Sequence, residues 1–220
     1  MKIYLENELN NSYYFLLQEN RKAFDLLSYM AYLNGDNISF NLIKKLLINS
    51  PRDTKQKSKE DELVKNLNYL IQLSEISKTG KWRYAVNELT QIEVLKRYLL
   101  KENKEIEIIN RIVECLNESM PSQMTQLTEQ NVEMFEHSAK ILKLKWKDQF
   151  KSRNYIELKT KVAFIYRYIF KKNRVALNYY ENLLSQDCLG VLETVLIYVE
   201  IGDLFLNQND FTRALDQYGN

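Results

Sequence analysis

The sequence predicts a mainly α protein with one small β-hairpin, on three observations. Only 5 Gly and 2 Pro occur in 220 residues, and turns and strand bends are what usually consume these residue types. Apolar residues recur every three or four positions through most of the chain, the period of one helix face. Around Lys78-Thr79-Gly80-Lys81 that period gives way to alternation, the pattern of a hairpin.

Taken in order, Tyr13, Tyr14, Leu16 and Leu17 lie at helical spacing within residues 1–20 and predict a lead-in helix. Ala23, Phe24, Leu26, Leu27, Met30, Ala31 and Leu33 make the next helical face. Asn34-Gly35-Asp36 should stop it, with Gly35 in the left-handed conformation of a helix C-cap. Ser39 is a good N-cap for a short helix through Phe40, Leu42, Ile43, Leu46 and Leu47, ended at Asn49-Ser50-Pro51. Residues 52–60 are polar and predict an exposed loop. Leu63, Val64, Leu67, Leu70, Ile71 and Leu73 form a third helix. In the hairpin after it, Ile76, Trp82, Tyr84 and Val86 should point inward.

Thr90 with Glu93 three residues on has the form of a capping box opening a helix with Ile92, Leu95, Tyr98 and Leu99 inside. Further helices are expected over 104–116 and 131–146, with a linker at 117–126 that contains Pro121. Residues 155–170 and 174–184 predict one helical hairpin, and 192–206 and 211–218 a second. The organisation is an N-terminal domain over 1–100, a helical linker over 101–150 and helical repeats over 151–220.

Composition excludes several functions. Net charge is +2, from 31 basic and 29 acidic residues, so there is no strong electrostatic footprint for nucleic acid or an anionic membrane. Cys115 and Cys188 form no CxxC and sit in apolar runs, which predicts buried reduced thiols. No apolar run approaches the ~20 residues of a membrane span, and the N-terminus lacks a secretory h-region. A cytoplasmic location is the simplest expectation. His137 is the sole histidine and has no cysteine near it, so a metal site is not expected. No nucleophile has a base beside it, and acid pairs such as Glu60/Asp61 lie in charged segments. The expectation is no enzyme and no cofactor.

Two resemblances follow from these residues. In the last hairpin Tyr198, Ile201, Gly202, Phe205, Ala214 and Tyr218 stand where a tetratricopeptide (TPR) repeat places its signature residues. Small residues there allow two helices to approach closely. Ala163, Tyr166, Ala176 and Tyr180 match more loosely, with one extra residue in the turn. The front half, through AFDLLSYMAYLNGDNISFNLIKKLL, LVKNLNYLIQLSEIS and WRYAVNELTQIEVLKRYL, resembles the winged-helix segment of NB-ARC-type (STAND) signalling ATPases, especially those continuing into kinesin-light-chain-like TPR repeats. That resemblance implies a winged-helix domain, a helical linker and a TPR-like α-solenoid.

It also carries two departures. The family's P-loop, G-x-x-x-x-G-K-[ST], is missing. Asn87 stands where the family has a nucleotide-contacting His, and Asn carries no charge at neutral pH. The chain alone is not expected to bind ATP, and its stop within a repeat's second helix suggests a truncated or split module.

The expected function is a non-enzymatic protein–protein interaction module. A protein or peptide segment would occupy the solenoid's concave face, with a separate nucleotide-binding domain as a possible second partner. By the repeat register, Val199, Asp203, Leu206 and Asn207 face that surface. The rival expectation is a DNA-binding winged-helix regulator with a helical sensor or dimerisation domain. Lys55, Lys57, Lys59, Lys65, Lys78 and Lys81 would supply its backbone contacts. Asp53, Glu60, Asp61, Glu62 and Glu75 in the same region weigh against it.

Overall fold

The computed structural model describes residues 19–48, 56–95, 105–121, 128–143, 152–186 and 189–219. The lead-in helix expected over 1–20, the Pro51 stop, Lys55, Tyr98, Leu99, Trp146, Cys188 and most of the linker after Pro121 lie outside these residues, apart from the lead-in's last two positions. The described residues are mainly helical with one small three-stranded antiparallel sheet. The chain divides into two compact units, Met1–Cys115 and Leu116–Asn220.

In the first unit, helix α1 spans Arg21–Tyr32, capped by Asn20, whose Oδ1 accepts from Ala23 N at 3.0 Å. Strand β1 is Ile38–Ser39. Ser39 then caps α2 (Phe40–Leu47) by accepting from Leu42 N at 3.2 Å, as expected. Helix α3 is Gln56–Gln72. Strands β2 (Ile76–Gly80) and β3 (Arg83–Val86) form the hairpin. Helix α4 is Glu88–Glu93, and α5 is Glu105–Ser119.

The sheet order is β1-β3-β2, with Ile38 opposite Tyr84 and Ile76 opposite Val86. Its inner side chains Ile38, Ile76, Tyr84 and Val86 are buried, as are Phe24, Leu27 and Met30 of α1 and Leu63, Leu67 and Leu70 of α3. Burial of this set supplies most of the unit's stability.

Several expectations are corrected here. β1 is a strand that apolar patterning does not flag. Two residues are too few to show a period. Helix α3 begins at Gln56, four residues inside the expected loop, because a polar run of Lys, Ser, Glu and Asp costs little on a solvated helix turn. Trp82 does not point inward. It sits in the hairpin turn at φ 64° and is 49% exposed. Its carbonyl accepts from Phe40 N at 2.9 Å, and its ring leans on Phe40 with centroids 5.2 Å apart.

Gly35 is not left-handed. The described residues contain no positive-φ Gly, and α1 ends on an extended Leu33. Space at Gly35 is tight and favours a residue without a Cβ. A Cβ on it would lie 3.0 Å from both Val86 O and Gln91 Nε2. Thr90 caps nothing: Asn87 is the N-cap of α4, accepting from Leu89 N at 2.9 Å. Thr90 is buried instead and donates its hydroxyl to the buried Glu75 at 3.0 Å.

A buried pair ties α1 to the start of α5. Tyr32 donates to Glu105 at 2.6 Å, and both residues are buried. Burial raises the Glu105 pKa, more than the Tyr32 hydrogen bond lowers it. A carboxyl whose folded pKa lies above its unfolded value favours the fold at low pH. That contribution is lost as pH rises from the unfolded value, about 4.3, through the folded one. Glu105→Gln should therefore gain stability relative to the native chain between pH 4 and pH 7, read by urea unfolding at both. A pH-independent difference would contradict this account of the pair.

In the second unit, α6 spans Glu129–Ile141 under a Thr128 cap, and α7 spans Arg153–Tyr168 under a Ser152 cap. Helix α8 is Asn173–Leu184, α9 is Val191–Leu206 and α10 is Phe211–Tyr218, the last capped by Asp210. α8 packs against α7 and α9, and α10 against α9. Their shared core contains Ala163, Ala176, Tyr180, Leu183, Ile201, Leu204, Phe205 and Ala214. The three alanines are 0–2% exposed in that core, where a larger side chain would have to displace its neighbours. His137 is buried in α6, with Nε2 3.6 Å from Glu133 Oε1. Cys115 is buried.

Candidate protein-interaction face

Helix α9 carries the candidate site. Its sequence, VLETVLIYVEIGDLFL, has 11 apolar residues in 16 positions. One face does what an apolar face ordinarily does: Ile197, Ile201, Leu204 and Phe205 are buried against the neighbouring helices. The opposite face is also apolar. Leu192, Val195, Leu196, Val199 and Leu206 are exposed, at spacings of three, four and seven residues that align them in one stripe. A helix apolar on all sides ordinarily lies inside a larger packed assembly. Three carboxylates, Glu193, Glu200 and Asp203, are the only charged groups on α9.

A polar network joins this helix to α7. The guanidinium of Arg167, 5% exposed, donates to the Glu200 carboxylate, to Glu200 O at 3.0 Å and to Asp203 Oδ2 at 3.3 Å. Tyr180 and Tyr168 donate to Glu200 at 3.3 and 3.4 Å. Tyr218 of α10 donates to Asp203 at 2.5 Å. The Arg167 guanidinium lies over the Tyr168 ring at 4.5 Å. Burial pushes the Tyr180 pKa up, and the Glu200 charge adds to it, so the phenol keeps its proton at neutral pH and can donate.

Gly202 completes the α9–α10 crossing. A Cβ on it would lie within 2.8 Å of three Tyr218 ring carbons, so the aromatic ring occupies the space the glycine leaves open. This is the close approach expected from the sequence.

Of the four predicted partner residues, Val199 and Leu206 are 42% and 45% exposed and belong to the stripe. Asn207 is exposed just beyond the helix end. Asp203 is half-buried and already engaged by Arg167 and Tyr218. Sequence reasoning missed Arg167, Glu200, Tyr168 and the N-terminal part of the stripe. The available signal was α9 itself, which is too apolar for a helix with a single buried face.

The lysines of the rival reading fall in two places. Lys57, Lys59 and Lys65 are exposed along α3, and Lys78 and Lys81 are exposed at the hairpin end. Lys78 Nζ lies 5.8 Å from the Trp82 ring centroid. On α3 they alternate with acids: Glu60 pairs with Lys44, and Glu62 with Lys22. Asn87 serves as the α4 cap.

Among the described residues, no group of three or more His, Cys, Asp or Glu is placed to hold a metal ion, and no helix is long and apolar enough to cross a membrane. No family model, curated protein or solved structure matches this chain.

Proposed function

We propose that this chain is a non-enzymatic protein–protein interaction module, a TPR-like helical scaffold attached to a winged helix. The observation that carries the proposal is the second apolar face of α9, exposed beside a network that fixes the helix against α7. Exposed apolar surface with a polar rim is the usual mark of a binding site. Its occupant is a peptide or protein segment with apolar residues at helical spacing. Basic flanks would suit it, because α9 carries the three carboxylates of Glu193, Glu200 and Asp203 and no basic residue.

Two features support the repeat reading. Each helical hairpin turns through a left-handed residue two positions before its second helix, Lys171 before Asn173 and Asn209 before Phe211. Each also buries an alanine in the first turn or two of that helix, Ala176 and Ala214. The winged-helix reading draws on the element order α1-β1-α2-α3-β2-β3 and the strand order β1-β3-β2.

The test is to select binding peptides against the native chain from a random display library and measure their affinity for Val199→Lys/Leu206→Lys. Both side chains are exposed, so the fold should survive. Selected peptides should bind the double variant at least about tenfold more weakly, equivalent to 1.4 kcal/mol. Undiminished affinity in the variant would remove α9 as the site.

A second reading, DNA binding, rests on the exposed Trp82 with Lys78 and Lys81 at the hairpin end. Duplex anisotropy across a salt series separates the two. Phosphate contacts produce a steep fall in affinity with salt, and the mixed charges of α3 argue against finding one.

A further inference from the structure

We propose that the β2–β3 hairpin tip of one copy docks on the α9 face of a second copy, so that the chain associates head to tail. The inference rests on the reading of α9 as an interaction face and names a further occupant for it.

The tip carries an anchor with no complement of its own. Trp82 is 49% exposed, and tryptophan is among the side chains most enriched where interface energy concentrates. Its ring meets Phe40 at 5.2 Å and the Lys78 ammonium at 5.8 Å. Its indole N–H has no acceptor among the described residues. Residues 76–86 carry Lys78, Lys81 and Arg83 and no acid. Lys78 and Lys81 are exposed and form an ion pair with no described residue.

Helix α9 supplies what the tip lacks. Leu192, Leu196 and Val199 are exposed along its stripe. Glu193 and Glu200 stand three residues before and four after Leu196, which places both carboxylates along one edge of the apolar strip. Glu200 is engaged by Arg167, whereas Glu193 forms an ion pair with no described residue. An indole beside two ammonium groups therefore fits an apolar strip edged by a carboxylate. The ring covers the leucines, Lys78 or Lys81 pairs with Glu193, and the indole N–H gains an acceptor.

Charge also fixes the kind of symmetry. Two α9 faces would bring only carboxylates to each other, and two tips only cations, and like charges across an interface repel. The contact is tip to helix. Each copy then keeps one unused tip and one unused face, so copies add in series. A turn on one helix face buries less than the roughly 1,200 Å² of stable complexes, so the association is weak and transient.

The experiment is sedimentation of the full chain from about 5 to about 500 µM, a range that reveals weak association. Average mass should rise with concentration, and less steeply at high salt, which screens exposed charges. Trp82→Gly and Leu196→Lys should each weaken association at least about tenfold. Lys78→Glu/Lys81→Glu should do the same without altering the residue at the left-handed position, which keeps the hairpin test valid should Trp82→Gly misfold. Mixing decides between this contact and any other. The Trp82→Gly chain keeps an intact α9 face and the Leu196→Lys chain an intact tip, so the mixture should form a one-to-one dimer that neither forms alone. Mass independent of concentration overturns the proposal. So does association that survives the hairpin variants, or a mixture that stays monomeric. A monomeric chain whose α9 face still takes selected peptides fails here alone, whereas peptides indifferent to the α9 variant end the reading beneath it as well.

Discussion

Arg167→Met should destabilise the second unit by about 3 kcal/mol, the low end of the range for removing one partner of a buried ion pair. The low end applies because Glu200, whose side chain is 27% exposed, can recover some hydration once abandoned. Arg167 itself is almost fully covered. Removing it takes a charged donor from Glu200 O, the Glu200 carboxylate and Asp203, and leaves the two carboxylates to the neutral phenols of Tyr180, Tyr168 and Tyr218. The Asp203 pair should contribute little, since that carboxylate is 41% exposed. Arg167→Lys should recover part of the loss, because an ammonium keeps the charge and reaches fewer acceptors. Tyr180→Phe should cost about 1 kcal/mol, one hydrogen bond among several to Glu200. Urea unfolding of these variants, with Glu200→Gln closing a double-mutant cycle, measures the coupling directly. A loss below about 1 kcal/mol for Arg167→Met would show that apolar packing alone holds α7 to α9.

The elements that sequence reasoning located are those where one local rule dominates. Ser39 caps α2 because a hydroxyl one residue before an apolar helical run has a nearby orphan N–H to accept. Gly202 and Ala214 were readable as a helix crossing because close packing demands small residues there. The failures share a different cause. At Gly35, Thr90 and Trp82, tertiary contacts override local preference. A Cβ on Gly35 would crowd Val86 and Gln91, about fifty residues away in the chain. Thr90 serves a buried carboxylate on the far side of the hairpin. The network around Arg167 was hidden for the same reason. Arg167, Tyr180 and Glu200 lie on three different helices, and no spacing within one helix announces their meeting. The stripe on α9 was half legible: the repeat register located Val199 and Leu206, and the register has no rule for Leu192, Val195 and Leu196.

The second large effect separates two residues that apolar patterning alone treats alike. Leu67→Ala should cost about 3 kcal/mol, within the 2.7–5 kcal/mol range of buried leucine truncations. Leu67 is 1% exposed and lies between Leu63 and Leu70 on the buried side of α3. Its removal opens a void where α3 meets the body of the first unit, and neighbours held by the sheet and by α1 can only partly refill it. Trp82→Gly should change stability by less than about 1 kcal/mol despite deleting the largest side chain in the hairpin. Two opposing terms explain this. Losing the Phe40 contact removes part of an aromatic pair, worth about 0.5–1.5 kcal/mol when fully formed. Glycine, in turn, relieves the left-handed backbone at φ 64°, which costs a bulky residue about 1 kcal/mol. Chemical denaturation of both variants tests the pair. A loss of 3 kcal/mol or more for Trp82→Gly would make the tryptophan a core residue after all. Near-neutrality means that the hairpin holds an exposed, strained aromatic that folding does not require.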